Sequence, residues 1–254
     1  MALRERARFR IQGSQGGPRS EIALNGTILA ASAVRKTYKT EAGVVEALRA
    51  VDLGVERGEF LAIMGPSGSG KTTMLNCLSG LDDIDGGSVD IDGQDLHEMS
   101  DAKRSRHRAE KMGFIFQSFN LIPVFTAAEN VELPLLLAGA SPARARKRAE
   151  ETLDKVGLGH RKDHRPNELS GGEQQRVTIA RAIAGEPKIV WADEPTGNLD
   201  TETATSIMEL LRDLHRDGLT LVLVTHDPAI GEMAERVLRM RDGMIESEYV
   251  PVGA

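Results

Sequence analysis

Nine residues constrain this chain more than any others: Gly65-Pro66-Ser67-Gly68-Ser69-Gly70-Lys71-Thr72-Thr73. An apolar run, Phe60–Met64, precedes them, and an apolar-periodic segment, Met74–Leu78, follows. Strand, glycine-rich loop and helix, in that order, is the setting a phosphate-binding loop needs. Glycines let the backbone curl so that successive N–H groups point inward as an anion nest. The helix start adds its partial positive charge. Lys71 is placed to reach outer phosphates, and the Thr72 hydroxyl to ligate magnesium. An ordinary glycine turn leaves that lysine and hydroxyl unexplained, so the chain is read as a nucleotide binder.

Bulk properties narrow the class. A chain of 254 residues suits one domain or two closely joined lobes with a sizeable core. Aromatics are only 4%, so core volume must come from Ile, Leu, Val and Ala. The net charge of −6 argues against a general nucleic-acid binder. Cys77 stands alone, which rules out an intramolecular disulfide and fits a reducing compartment. No stretch approaches the ~18 consecutive apolar residues that span a bilayer; Val131–Ala140 and Leu219–Val224 are too short. The N-terminus is basic with no apolar core behind it, so no signal peptide is expected and any membrane role must come through a partner.

Along the chain, residues 1–27 read as a disordered arm rich in Arg, Gly, Ser and Gln, with Arg4, Arg6, Arg8 and Arg10 solvated. Ile28–Val34, Val44–Leu48 and Leu53–Glu56 read as strands of an antiparallel sheet, with Tyr38 between the first two. Phe60–Met64 is apolar throughout, as in a strand buried on both faces. Ser88–Ile91 is another strand. From Asp95 to about Pro166 the character changes. Asp101–Lys111 is a charged helix, and Met112–Phe116 a strand ending at Gln117. Ser141-Pro142 opens a helix with Ala145, Ala149, Leu153 and Val156 on one face. Opposite them, Arg144, Lys147, Arg148 and Glu151 make a solvated face. This region is read as a mostly helical lobe inserted in an α/β core. The α/β rhythm then returns. Ile189–Ala192 and Leu219–Val224 are strands, separated by a helical stripe through Ala204, Ile207, Met208, Leu211 and Leu214, which implies a parallel sheet. Arg236–Met240 and Met244–Ser247 flank a hairpin turn at Arg241-Asp242-Gly243.

Three further stretches carry chemistry. Ile189–Ala192 delivers Asp193 and Glu194 at a strand C-terminus, where open α/β sheets bind ligands. Asp193 is expected to orient magnesium through its water shell, and Glu194 to polarise a water against the γ-phosphate. His226 ends another strand on the same rim, within reach of the γ-phosphate or the attacking water. Leu169-Ser170-Gly171-Gly172-Glu173 opens a second helix with a phosphate-type N-terminus. One chain thus carries two anion sites, which a single γ-phosphate unites if a second chain supplies the second site.

This set resembles the ATP-binding subunit of an ATP-binding cassette (ABC) transporter over roughly Ile28 to Ser247. Leu169–Glu173 resembles that family's signature, and the order matches as well: phosphate loop, Gln117, signature, Asp193-Glu194, Gly197-Asn198-Leu199-Asp200, His226. Glu173 stands where the family most often has Gln, but the serine and glycines are intact. The resemblance implies an α/β fold: a P-loop NTPase core with a mixed sheet flanked by helices, an antiparallel β subdomain, and a helical subdomain inserted at about 95–168, within an ATP-binding domain of 28–248. It implies ATP and Mg2+ as ligands, with Thr72, Gln117 and Asp193 towards the metal and Lys71, Glu194 and His226 in hydrolysis. Tyr38 would stack on adenine, Gly65–Thr73 hold the phosphates of one subunit, and Ser170, Gly171 and Gly172 contact the phosphate from the other. Asp200 would bridge the subunits of a head-to-tail homodimer. Gln117 would also sense a transmembrane permease, on whose cytoplasmic helices the helical lobe docks.

The variant signature, with Phe116–Pro123, Glu129-Asn130-Val131 and Gly197–Asp200, is most similar to the branch serving macrolide efflux and lipoprotein release, with the cell-division pair nearby. That branch implies a peripheral subunit on the cytoplasmic membrane face, a permease with a large extracytoplasmic domain, and export or extraction of a hydrophobic compound, lipoprotein or lipid. A force-transmitting ATPase of the cell-division type is the alternative. A soluble ABC ATPase acting on nucleic acid fits less well, because this chain has one cassette, a short insert and an acidic balance.

Overall fold

The computed structural model describes residues 26–252, except Ala42. The arm expected over 1–27 lies outside the described residues but for Gly26 and Thr27, and Thr27 already opens a strand. Two sheets and their covering helices make up the molecule. The first is antiparallel, in the order β2-β1-β4-β5: β1 (Thr27–Thr40), β2 (Gly43–Glu56), β4 (Gly86–Ile91) and β5 (Gln94–Asp95). The second has six strands in the order β10-β9-β3-β8-β7-β6: β3 (Phe60–Met64), β6 (Met112–Phe116), β7 (Ile189–Asp193), β8 (Leu221–Thr225), β9 (Arg236–Arg241) and β10 (Met244–Tyr249). All its pairings are parallel except the terminal hairpin β9–β10.

β1 and β2 are longer than the sequence suggests. Val44–Leu48 and Leu53–Glu56 belong to one strand of 14 residues, and Tyr38 lies inside β1 rather than between strands. Register shifts let the pair run on. Ala33 and Ala50 sit in those irregular stretches with positive φ, and an alanine gives no sequence signal for a bulge.

The parallel strands are buried on both faces, and their alternate residues feed two cores. Phe60, Ala62, Val190, Ala192, Leu221 and Leu223 share a core with α5 (Gly171–Ile183) and α6 (Thr201–Arg216), and that core continues through α5 into α3 (Ala127–Leu137) and α4 (Pro142–Lys155). Leu61, Ile63, Trp191, Val222 and Val224 face α1 (Lys71–Leu78) and the antiparallel sheet. The helical stripe of α4 packs as expected, with Ala145, Ala149 and Leu153 fully covered. Helix α3 was not anticipated. Thr126 and Glu129 form a full capping box at its start, while Pro134 inside it masks the helical pattern.

The stretch expected to be a helical insert is more divided. Within it, β6 is an edge strand of the large sheet and β5 belongs to the antiparallel one. Helix α2 (Asp101–Lys111) leads directly into β6, so the helices standing apart from the sheets are α3 and α4. No described helix is long and apolar enough to cross a membrane.

Candidate functional site

Strand β3 ends at Met64, in the middle of the parallel sheet, and the glycine loop turns from it into α1. The glycines are required by space as well as by φ. A Cβ on Gly65 would lie 2.3 Å from the Met240 carbonyl oxygen. Gly70 has φ 98°, and a Cβ there would lie 2.5 Å from the Ala47 carbonyl oxygen. The β9–β10 turn wedges the loop from behind: the Gly243 N–H donates to the Ser69 carbonyl at 3.1 Å, and the Arg49 N–H donates to the Gly243 carbonyl at 2.9 Å. Helix α1 has no side-chain cap and no acidic residue in its first turn, so its N-terminal charge is left for a ligand. Lys71 folds back, its Nζ donating to the carbonyls of Gly65 (2.8 Å) and Pro66 (3.0 Å). The Ser69 hydroxyl is buried without a partner. Orphaned donors around a tight glycine cradle fit a polyphosphate.

Parallel register brings the other rim residues to this loop. Met64 pairs with Thr225, and Asp193 with Val224, so three strand ends lie side by side. The Thr72 hydroxyl donates to Asp193 Oδ1 at 3.2 Å. Burial pushes the Asp193 carboxyl above the usual range, against the smaller effect of that hydrogen bond. A hydroxyl beside a desolvated carboxylate is a hard oxygen set that fits magnesium, whose charge would reverse that shift.

Glu194 holds a left-handed φ of 47°, fixed by its N–H donating to the Val224 carbonyl at 2.9 Å. Its carboxylate accepts a hydrogen bond from His226 Nδ1 at 2.8 Å. The loop, Glu194, His226, Gln117 and Tyr38 all line one groove of about 1170 Å³. Tyr38 stands at its edge. Its hydroxyl donates to Asp82 Oδ2 at 2.6 Å, and Lys36 Nζ lies 5.1 Å from the ring centroid. Asp82 and Lys36, which the sequence did not single out, therefore hold the ring in place.

Gln117 is held by Asn198. Its Nε2 donates to Asn198 Oδ1 at 3.3 Å, and Asn198 Nδ2 donates to the Gln117 carbonyl at 2.9 Å. Gly197 permits this approach, since a Cβ there would lie 2.7 Å from Gln117 Nε2.

Ser170, Gly171, Gly172 and Asp200 do not line the groove. Ser170 caps α5 in a capping box: its hydroxyl accepts from the Glu173 N–H at 3.2 Å, and Glu173 Oε2 accepts from the Ser170 N–H at 2.8 Å. Asp200 caps α6, accepting from the Thr203 N–H at 3.0 Å and the Thr203 hydroxyl at 2.7 Å. The two caps are neighbours, because a Cβ on Gly172 would lie 2.5 Å from Thr203 Cγ2. The sequence-expected residues therefore form two groups, one around the groove and one beside the starts of α5 and α6.

The comparisons with known proteins agree with this architecture. Residues 48–197 match the family described as ABC transporter. The macrolide export ATP-binding/permease protein MacB of Syntrophobacter fumaroxidans is 46% identical over 223 residues, 87% of this chain and 31% of that protein. The lipoprotein-releasing system ATP-binding protein LolD 2 of Caulobacter vibrioides is 43% identical over 228 residues, 89% of this chain and 100% of that protein. Among solved structures, the dimeric post-hydrolysis state of the cassette MJ0796 of Methanocaldococcus jannaschii, bound to ADP and Pi, superposes with a TM-score of 0.81. It is 45% identical, covering 89% of this chain and 100% of that one. The chain belongs to the ABC transporter family, as an ATP-binding subunit that takes ATP with magnesium and hydrolyses it.

Proposed function

We propose that two copies of this chain close head to tail on ATP and drive a transmembrane permease from the cytoplasmic face of the membrane. The observation that carries this reading is the division of the site residues. The groove holding Lys71, Thr72, Glu194 and His226 lacks Ser170, Gly171 and Gly172, which sit beside Asp200 outside it. A γ-phosphate held in the groove of one copy gains those contacts from a second copy only in the closed state, so ATP favours closure and hydrolysis releases it. The dimeric state of the cassette MJ0796, bound to ADP and Pi, supports pairing of two copies.

Within the closed site the roles follow from placement. Tyr38, fixed by Asp82, offers a ring to the adenine edge. The backbone of Gly65, Pro66, Ser67, Gly68, Ser69 and Gly70 receives the phosphates with Lys71, Thr72 and Thr73. Thr72, Asp193 and Gln117 are the residues that would hold magnesium, which would supply positive charge against that developing on the phosphates. Glu194 orients the attacking water and accepts its proton, and His226 steadies the Glu194 carboxylate through Nδ1. Asp200 meets the other copy near the signature turn.

The permease is of the kind with a large extracytoplasmic domain, and the work is export or extraction of a hydrophobic compound, lipoprotein or lipid. The likeness to LolD 2 and MacB supports this. The ATP-binding domain spans 28–248, with α3 and α4 facing the permease.

Glu194→Gln tests the reading. ATP turnover should fall by roughly 10²–10⁴-fold, and the protein should run as an ATP-dependent dimer in size exclusion with light scattering. Turnover near wild type, or a monomer at saturating ATP, would sink it. Co-purification of a membrane protein with the tagged wild-type chain, and ATP-dependent substrate movement by the reconstituted pair, test the coupling to transport.

A further inference from the structure

Behind Gln117 the backbone is under strain. Phe119 and Asn120 both hold left-handed φ, 58° and 52°. Asparagine tolerates that region, but a bulky residue such as Phe rarely does, and such strain persists only where the surroundings over-determine it. The turn has local bonds, the Phe119 N–H donating to the Phe116 carbonyl at 3.2 Å and the Asn120 N–H to the Ser118 carbonyl at 2.6 Å, and from outside it one guanidinium grips both left-handed residues. Arg181 donates from one terminal nitrogen to the Asn120 carbonyl at 2.6 Å and from the other to the Phe119 carbonyl at 2.8 Å. Among the described residues Arg181 has no carboxylate within ion-pair distance, and burial pushes its guanidinium down to about 10. A half-buried cation with only carbonyl partners carries part of that desolvation cost.

The strained turn and the unpaired cation thus meet at one point, and that point joins two functional segments. Arg181 lies on α5, the helix that Ser170 opens. The turn it grips directly follows Gln117. The Phe119 ring leans the same way, its Cζ 3.9 Å from where a Cβ on Gly171 would be.

We infer that Arg181 is a positioning residue, latching the left-handed turn after Gln117 to the signature helix so that Gln117 and Ser170–Gly172 move as one body during closure. The inference rests on the dimeric reading above. The planar fork matters, because a lysine ammonium cannot present two donors in that fixed geometry.

Two measurements test it. The first is amide exchange of the ligand-free chain by mass spectrometry, comparing wild type with Arg181→Lys and Arg181→Gln. Exchange over 118–121 should rise by roughly tenfold or more as the turn springs open, while β3 and α1 stay protected as in wild type. Unchanged exchange over 118–121 overturns the latch. The second adds Arg181→Lys to Glu194→Gln protein. The ATP concentration for half-maximal dimer should rise roughly tenfold, while single-chain ATP affinity, which the intact phosphate loop and Tyr38 dominate, stays close to that of wild type. Unaltered dimerisation, or a loss that merely tracks lower Tm and lower ATP affinity, leaves Arg181 a packing residue and overturns the inference. If Glu194→Gln alone fails to dimerise, the functional reading fails instead, and the exchange measurement still decides the latch.

Discussion

The chain contains two glycine-lined helix starts, and they are finished differently. Helix α1 begins at left-handed Gly70 with no side-chain cap and no acid in its first turn, beside an unpartnered Ser69 hydroxyl. Helix α5 begins at Ser170 with both halves of a capping box in place and Glu173 in its first turn. Its backbone bond from Ser170 holds the Glu173 carboxyl below the usual range, so it is ionised at neutral pH. The first start leaves its donors open for an anion. The second satisfies its own donors and sets a carboxylate over its own positive end. A single chain therefore has one strong phosphate site and one weak one. The weak one becomes useful when another copy presents a γ-phosphate already held by its own loop.

The largest separation between the two should come from Lys71→Ala against Ser170→Ala. Removing the Lys71 ammonium should weaken single-chain ATP binding by roughly 10- to 100-fold, the range of a charged hydrogen bond. Ser170→Ala should leave that affinity unchanged in a fluorescent-nucleotide titration, lose about 1 kcal/mol of stability with the cap, and abolish turnover through the dimer. Equal losses of single-chain affinity would erase the distinction between the sites.

A smaller effect tests how the loop is held. Gly243 has φ 76°, and a Cβ there would lie 2.8 Å from the Ala47 carbonyl oxygen; Gly93 has φ 79° and open space around it. Both Ala variants carry the left-handed penalty of about 1–2 kcal/mol. Only Gly243→Ala should also lower ATP affinity, because only that turn is bonded to Ser69. Glu173→Gln probes the other start. Glutamine keeps the capping box but loses the charge that the helix start and Arg161 favour, so Tm should fall by about 2 °C. The lost charge should lower the ATP concentration for dimerisation severalfold.

The groove residues were legible from short-range pattern: Asp193, Glu194 and His226 end or directly follow apolar strands, and Lys71 starts the helix after a glycine loop that leaves the apolar β3. The helix starts at Ser141-Pro142 and Ser170 were legible for the same reason. What escaped is made by contacts far apart in the chain. Asn198 reaches Gln117 and Arg181 reaches Phe119 across long separations, and an Arg in a helix or an Asn in a loop carries no mark of its partner. Residue type also failed at Ala33 and Ala50, where alanines hold bulge geometry. The start of α3 was readable in Thr126 and Glu129, but Pro134 argued against a helix there. Met112–Phe116 was legible as a strand, but counting it within a helical insert hid that it pairs with β7 at the edge of the large sheet.

The smallest effect concerns the open site when it is empty. Burial raises the Asp193 carboxyl above its ordinary value in the folded chain. The folded state therefore holds that proton more tightly than the unfolded state does. Stability from this group is complete below the ordinary carboxylate range and is lost as pH rises through the raised folded value. At neutral pH the ligand-free protein bears an ionised, partly desolvated carboxylate. Asp193→Asn should then raise the Tm of the ligand-free chain at pH 7 by about 2 °C, with the gain shrinking as pH falls toward the carboxylate range. With ATP and magnesium present the order should reverse, because the cation repays the carboxylate and the amide offers it no charge. A ligand-free Tm that Asp193→Asn lowers at pH 7 would mean that Thr72, not burial, governs this side chain, and that the empty rim is not held in tension for its ligand.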